Sequence, residues 1–180
     1  MVGSNGVVGY KTNQRMRILV FLLTSCIAYS TQAQMELSLG GMSWKCNKEG
    51  DFLVMELRAP TRGWVGVGFN QENAIVQSDL LLFHVVDGKE ESTDMYVKGF
   101  GNPKTDESLG GSHDIEIVDF SETNYETYIK FRRLWKGEDI YDYPLKNGEP
   151  FWLILAYSTH DEFEHHSRMR RHEKIVFNVE

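Results

Sequence analysis

Beyond residue 34, apolar and polar positions alternate with a period of two, the spacing that sends successive side chains to opposite faces of an extended strand. Leu53, Met55 and Leu57 fall on one face while Glu56 and Arg58 fall on the other. Thr127, Ile129 and Phe131 alternate with Tyr128, Lys130 and Arg132, and Ile175, Phe177 and Val179 alternate with Lys174 and Asn178. The stretches 80–86 and 151–157 are apolar on both faces, the first broken only by His84. Strands of that kind sit inside a sheet with something packed on either side. Turn signals separate the segments: Asn47-Lys48-Glu49-Gly50, Asp87-Gly88, Gly101-Asn102-Pro103 and Lys146-Asn147-Gly148. They supply residues that tolerate positive φ or pre-set a turn. No window in this region carries a helical stripe of useful length. Roughly nine or ten short strands predict an all-β fold, an immunoglobulin-like antiparallel two-sheet β-sandwich. A barrel is the alternative that pattern alone leaves open.

The first residues follow a different rule. Residues 1–34 hold Lys11, Arg15 and Arg17 and no acidic residue, and they enclose the apolar run Ile18-Leu19-Val20-Phe21-Leu22-Leu23. A basic flank, a short apolar run and a small-residue exit make a secretory signal. The run is too short to span a bilayer, which needs about 20 apolar residues. The predicted organisation is therefore a signal peptide over 1–33 and one domain over 34–180, exported to the periplasm, the envelope or the medium. Thr31-Gln32-Ala33 suits cleavage after Ala33, while Leu23-Thr24-Ser25-Cys26 resembles a lipobox that would lipidate Cys26. Met16-Arg17 is an alternative start to Met1.

Removing 33 of the 180 residues leaves 147, enough for a single core. In that remainder 16 Lys and Arg stand against 26 Asp and Glu, a formal charge of −10. Such a balance argues against nucleic acid and anionic membrane surfaces, which would repel it. Cys46 is then the single cysteine, so stability has to come from packing rather than a disulfide. Beside Trp44 it reads as a small apolar core residue.

Several stretches in order resemble the DOMON family, the cytochrome and sugar-binding sandwich domain of cellobiose dehydrogenase and dopamine β-hydroxylase. Ala59-Pro60-Thr61-Arg62-Gly63-Trp64-Val65-Gly66-Val67-Gly68-Phe69 is similar to the family's hallmark strand. Ser78-Asp79 opens an apolar strand ending at Asp87-Gly88, and Asp94-Met95-Tyr96 follows, with Gly99 and Pro103 after it. Phe131-Arg132-Arg133-Leu134 with Gly137-Glu138-Asp139 resembles a further family segment, and 152–157 leads to a histidine and an arginine before the last strand. Read as residues, Gly63, Gly66 and Gly68 mark close backbone approach, either to a ligand or in tight packing around Trp64. Asp79 at a strand start reads as a buried carboxylate bonding loop amides.

The resemblance implies a binding domain that holds haem b between a methionine and a histidine, a pair suited to electron transfer. His166, or else His165, stands where the family's histidine falls, and the resemblance makes it the axial candidate. The methionine position is Ile75, which has no lone pair to offer. Met42, Met55 and Met95 read as core residues. Substitute ligands are His84, set in an apolar strand, and His160; an interior imidazole needs partners for its ring nitrogens. The stretch 160–172 carries His160, His165, His166 and His172 among Asp161, Glu162 and Glu164, a donor mix that suits zinc, copper or iron, or else a mixed surface loop. Arg168, Arg170 and Arg171 could meet haem propionates or a sugar acid. The pocket is expected between the two sheets, closed by the histidine segment.

Two further readings stand beside haem. One is a metal-free carbohydrate or small-molecule module using Trp64, Tyr96 and Trp152 against sugar rings. The other is a non-catalytic oxidoreductase subunit served by a membrane or envelope redox partner. A self-sufficient enzyme is not predicted: no Gly-rich phosphate cradle, nucleophile elbow or fixed Ser-His or Cys-His pair is present, and His113-Asp114 is too common a loop pair to count.

Overall fold

The computed structural model describes residues 34–178 and Gly3. The chain divides into the units Met1–Ser30 and Thr31–Glu180, and the fold below is that of the second. The expected signal peptide over 1–33, Gly3 apart, its two expected exits and Val179 lie outside the described residues.

Two antiparallel sheets form, and neither closes into a barrel. The first has five strands: β1 Gln34–Leu39, β2 Met42–Glu49, β3 Phe52–Ala59, β8 Glu116–Glu122 and β9 Thr127–Leu134, in the order β1-β2-β3-β9-β8. The second has six: β4 Val65–Asn70, β5 Asp79–Val86, β6 Lys89–Val97, β7 Pro103–Thr105, β10 Pro150–Tyr157 and β11 Met169–Val176, in the order β11-β10-β4-β5-β6-β7. The sandwich expected from the alternation is thus the fold. It contains one or two more strands than the pattern announced, among them two at sheet edges: β1, whose Met35, Leu37 and Leu39 pack on the core, and the three-residue β7. A single helical turn, α1 Asp106–Leu109, follows β7, capped by the Thr105 side chain and stopped at Gly110 with φ +93°.

Alternation decides what each strand buries. On β3, Leu53, Met55 and Leu57 are fully buried against the second sheet. On β4 the large residues Val65, Val67 and Phe69 point into the same core, and Phe83 of β5 meets Phe131 of β9 across it at 4.6 Å between ring centroids. Each such fully buried side chain contributes about 1.5–3 kcal/mol. Cys46 lies in this core, and burial pushes its thiol up to about 12, so it packs and does no chemistry.

The doubly apolar stretches become β5 and β10, which flank the central β4. Their second apolar face is the finding that matters for function. Leu80, Leu82, Ile154 and Ala156 point away from the partner sheet, to the outside of the six-stranded one.

Candidate functional site

A cavity of about 420 Å³ opens on that outer face, within the range of about 300–1,000 Å³ usual for small-molecule sites. Its floor is Leu80 and Leu82 of β5, Met95 of β6, and Ile154 and Ala156 of β10, with Trp64 and Phe163 as walls. The expected position between the sheets is corrected here. The bulky residues of β4 all face the partner sheet and fill that space, whereas Gly66 and Gly68 clear the other side. A Cβ at Gly66 would run into Leu82, and one at Gly68 would stand 3.1 Å from the Asp79 carbonyl. The two glycines therefore serve the packing of the floor.

The segment after β10 is stapled over one end of this face. Trp64 N donates to His160 O at 2.9 Å, Ser158 N donates to Trp64 O at 2.9 Å, and the Trp64 indole Nε1 donates to His165 O at 3.2 Å. The Thr61 hydroxyl donates to Ser158 O. Gly63 permits the approach: a Cβ there would lie 2.5 Å from His160 N and 2.6 Å from its carbonyl oxygen. Arg168 N closes the segment by donating to Tyr157 O at 2.8 Å. His165, His166 and Arg170 all line the cavity as a result. The His166 imidazole makes no hydrogen bond among the described residues.

Ile75 lines the cavity too. Its loop is held by Asn70, whose Nδ2 donates to Ala74 O and Val76 O, and by the Ser78 hydroxyl, which donates to Ile75 O at 2.7 Å. Met95 was read as a core residue, and the structure corrects this: it sits opposite Leu80 in the register and faces the cavity, while Met42 and Met55 do lie in the core. His84 points outward on the same sheet face but is not among the lining residues. Its Nδ1 is 2.8 Å from Asp161 O, its Nε2 is 3.2 Å from Glu91 Oε2, and its ring packs on Phe163 at 4.6 Å. Both nitrogens hold partners, and the ring supports a cavity wall.

Of the remaining candidates, Arg170 alone among the three arginines lines the cavity. His172 is hydrogen-bonding distance from Asn73, 3.0 Å, and burial with the Arg170 charge lowers its pKa. In the stretch 160–172 the metal-ligating atoms of His160, Glu162 and His165 lie within 4.8 Å of one another, all exposed, with the two imidazoles stacked at 4.3 Å. Trp64, Tyr96 and Trp152 are not gathered into a platform. Tyr96 stacks on Tyr141 on the opposite face of β6, and Trp152 pairs with Asn70 and Lys174 outside the cavity.

A second concentration of charge lies between the sheets at the β5–β6 end. Asp79 accepts from Arg133 Nη1 of the other sheet at 2.5 Å and from Tyr143 N at 2.8 Å, the loop-amide contact expected of it. Arg133 Nη2 also meets Asp142 at 3.4 Å. Asp94 and Asp106, both buried, face the same region without hydrogen-bond partners. Burial, with Asp114 beside it, pushes Asp94 up to about 10, and burial among carboxylates pushes Asp106 up to about 7.

With this geometry in hand, comparison with known proteins is specific. The DOMON domain family model matches residues 39–158. MOXD1 homolog 1 of Drosophila melanogaster is 23% identical over 126 residues, 69% of this chain and 18% of that protein. DBH-like monooxygenase protein 2 of Mus musculus is 26% identical over 137 residues, 76% of this chain and 21% of that protein. The chain thus spans about a fifth of the length of the curated relatives it matches. The cytochrome b domain of pyranose dehydrogenase from Coprinopsis cinerea superposes with a TM-score of 0.58 at 14% identity, covering 75% of this chain and 76% of that one. The cytochrome domain of Myriococcum thermophilum cellobiose dehydrogenase gives 0.58 at 11% identity, covering 82% and 83%.

Proposed function

The chain belongs to the DOMON domain family, and from that premise we propose that it is an exported binding module whose outer-face cavity takes haem b and passes single electrons to a redox partner. One observation carries the reading: an apolar cavity has His165 and His166 fixed over it by the segment stapled to Trp64. The residues present fit a haem. The walls are aliphatic and aromatic, His166 offers an imidazole not committed to another hydrogen bond, and the Arg170 guanidinium suits a propionate. Met95 offers the cavity a thioether, the donor that Ile75 lacks. The cytochrome domains with the same fold support the reading.

When bound, such a group would supply reversible one-electron oxidation and reduction of iron, with no covalent step by the protein. The chain's own residues do the rest. Leu80, Leu82, Ile154 and Ala156 exclude water from one face, Trp64 fixes the height of the histidine segment, and His84 props Phe163 as a wall. Met95 stands on β6 and His166 on the loop between β10 and β11, so the two reach the cavity from different elements. The basic, apolar segment at 1–33 supports export, and among the described residues no helix is long and apolar enough to cross a membrane.

The test is optical. Protein purified from a haem-replete host is expected to show a Soret band that moves on dithionite reduction. His166→Ala should lose it, and Met95→Leu should keep the band while shifting the reduced spectrum and the potential. A protein that stays colourless through haem titration removes the reading.

A further inference from the structure

The segment between β10 and β11 holds more donor groups than the cavity uses. Residues 160–165 read His160-Asp161-Glu162-Phe163-Glu164-His165, imidazoles and carboxylates with no lysine or arginine among them. Phe163 turns to the cavity wall. Where the others go is decided by the main chain. Three carbonyls of the segment are taken up by side and main chains of the six-stranded sheet: Trp64 N donates to His160 O at 2.9 Å, His84 Nδ1 to Asp161 O at 2.8 Å, and the Trp64 indole to His165 O at 3.2 Å. His160 N donates to Ser158 Oγ at 3.1 Å, and His165 N donates to Glu162 O at 3.1 Å, which folds the segment into a turn.

With the backbone held toward the sheet, the side chains of His160, Glu162 and His165 come together on the solvent side. A ligating atom of each lies within 4.8 Å of the other two. The imidazoles stack at 4.3 Å with 18° between their planes. His165 Nε2 stands 3.9 Å from Glu162 Oε2, beyond hydrogen-bonding distance. Neither ring makes a hydrogen bond among the described residues. The donors therefore converge on a common point without satisfying one another, and the groups that position them are main-chain bonds to Trp64, His84 and Ser158 rather than bonds among the side chains themselves. Ligands held this way lose little freedom when they bind, which favours affinity.

We propose that His160, Glu162 and His165 bind a divalent transition-metal ion of the zinc and copper(II) class. Two imidazoles and a carboxylate are donors that these ions take, whereas calcium and magnesium ask for oxygen alone. Zinc–ligand lengths of about 2.0–2.2 Å set neighbouring atoms of a tetrahedral site about 3.3–3.6 Å apart. Rotation of the two exposed rings brings their nitrogens to that separation with the backbone left in place. Three protein ligands leave a further position to water. The ion would clamp the turn that carries Phe163 and, next in sequence, His166. With the His165 imidazole on the ion, His166 is the histidine left to face the cavity. The site itself needs no haem and stands whether or not the cavity takes one.

The experiment uses the full chain without haem, stripped with EDTA and dialysed, and titrates zinc against a chromophoric chelator. One strong equivalent of zinc is expected, copper(II) should bind more tightly still, and a large excess of calcium or magnesium should displace neither. His160→Ala and His165→Ala should each weaken zinc by at least about 10–100-fold, the loss that even an outer partner of a metal site causes, while His166→Ala and His172→Ala leave it unchanged. Both ligand histidines are exposed, so the metal-free variants should melt with the parent. Pulsed EPR of the copper(II) form should count two imidazoles in the parent and one in His165→Ala. Zinc should slow amide exchange in residues 160–167 and leave β2 and β3 unaffected. The proposal is overturned if the parent binds zinc no better than the His160→Ala, His165→Ala double variant, or if the copper(II) form shows fewer than two imidazoles. His160 does not line the cavity, so the two readings fail separately: a protein that binds zinc as expected but stays colourless through haem titration sinks the cavity reading alone, and one that shows the Soret band but binds no zinc sinks this one.

Discussion

The indole nitrogen of Trp64 donates to the main-chain carbonyl of His165 at 3.2 Å, so the residue that opens β4 also fixes the segment that brings histidine to the cavity. Trp64 is 5% exposed and packs on Leu82 and Ala156, which separates two contributions that mutation can resolve. Trp64→Phe keeps most of the apolar contact and removes the donor. The expected cost is about 0.5–1.5 kcal/mol in urea unfolding, the net worth of a neutral hydrogen bond. Amide exchange should quicken in residues 160–167 and stay unchanged in β2 and β3. Uniform acceleration across both sheets would mean that the bond holds the whole fold and not the segment.

The glycines of the hallmark strand should not be equivalent. At Gly63 a methyl would strike backbone atoms of Thr159 and His160, which cannot rotate away. At Gly66 it meets first the tip of the Leu82 side chain, which can. Gly63→Ala is expected to cost about 1–3 kcal/mol and to loosen the histidine segment. Gly66→Ala should cost less and act on ligand affinity, since Leu82 is floor of the cavity. Thermal melts of the two variants decide it, and equal losses would contradict the argument.

These two positions also mark where reading the sequence succeeds and where it stops. Alternation at Leu53-Met55-Leu57 and Thr127-Ile129-Phe131 announces the half-buried strands, because a side chain's face depends only on its parity. Double apolarity in 80–86 and 151–157 announces that both faces are covered. It does not say by what, and so the cavity was expected between the sheets when it lies outside them. Parity within one strand assigns Met95 to a face; only the register against Leu80 says that this face is the cavity's. Asp106 and Asp114 carry no local signal at all. They meet Asp94 through the β6–β7 pairing and a long loop, which is information about pairing and not about composition.

Cys46 supplies a pH prediction. Burial pushes its thiol up to about 12, whereas in the unfolded chain a cysteine loses its proton near about 8.5. The folded state holds the proton more tightly. The associated stability is therefore complete below about pH 8.5 and is lost as pH rises toward 12, by at most about 1.4 kcal/mol per pH unit. Native protein at neutral pH should resist iodoacetamide, with labelling at Cys46 appearing in step with unfolding by urea. Fast labelling of the folded form would place the thiol outside the core.

The ion pair of Arg133 with Asp79 joins the two sheets, since Arg133 stands on β9 and Asp79 on β5. Both side chains are 1% exposed, so solvent does not screen the pair. Removing the cation and removing the anion should then have unequal effects. Arg133→Met leaves Asp79 and Asp142 buried with no counter-charge, and the loss of one partner from a buried pair costs about 3–5 kcal/mol. Asp79→Asn leaves the guanidinium facing Asp142 at 3.4 Å and keeps an oxygen for the Tyr143 amide, in a region already rich in carboxylates. Its cost should be the smaller of the two, by at least about 1 kcal/mol. Urea unfolding of both variants in the same buffer makes the comparison. If Asp79→Asn proves the more damaging, the region is not short of positive charge, and the electrostatic account of this end of the sandwich is wrong.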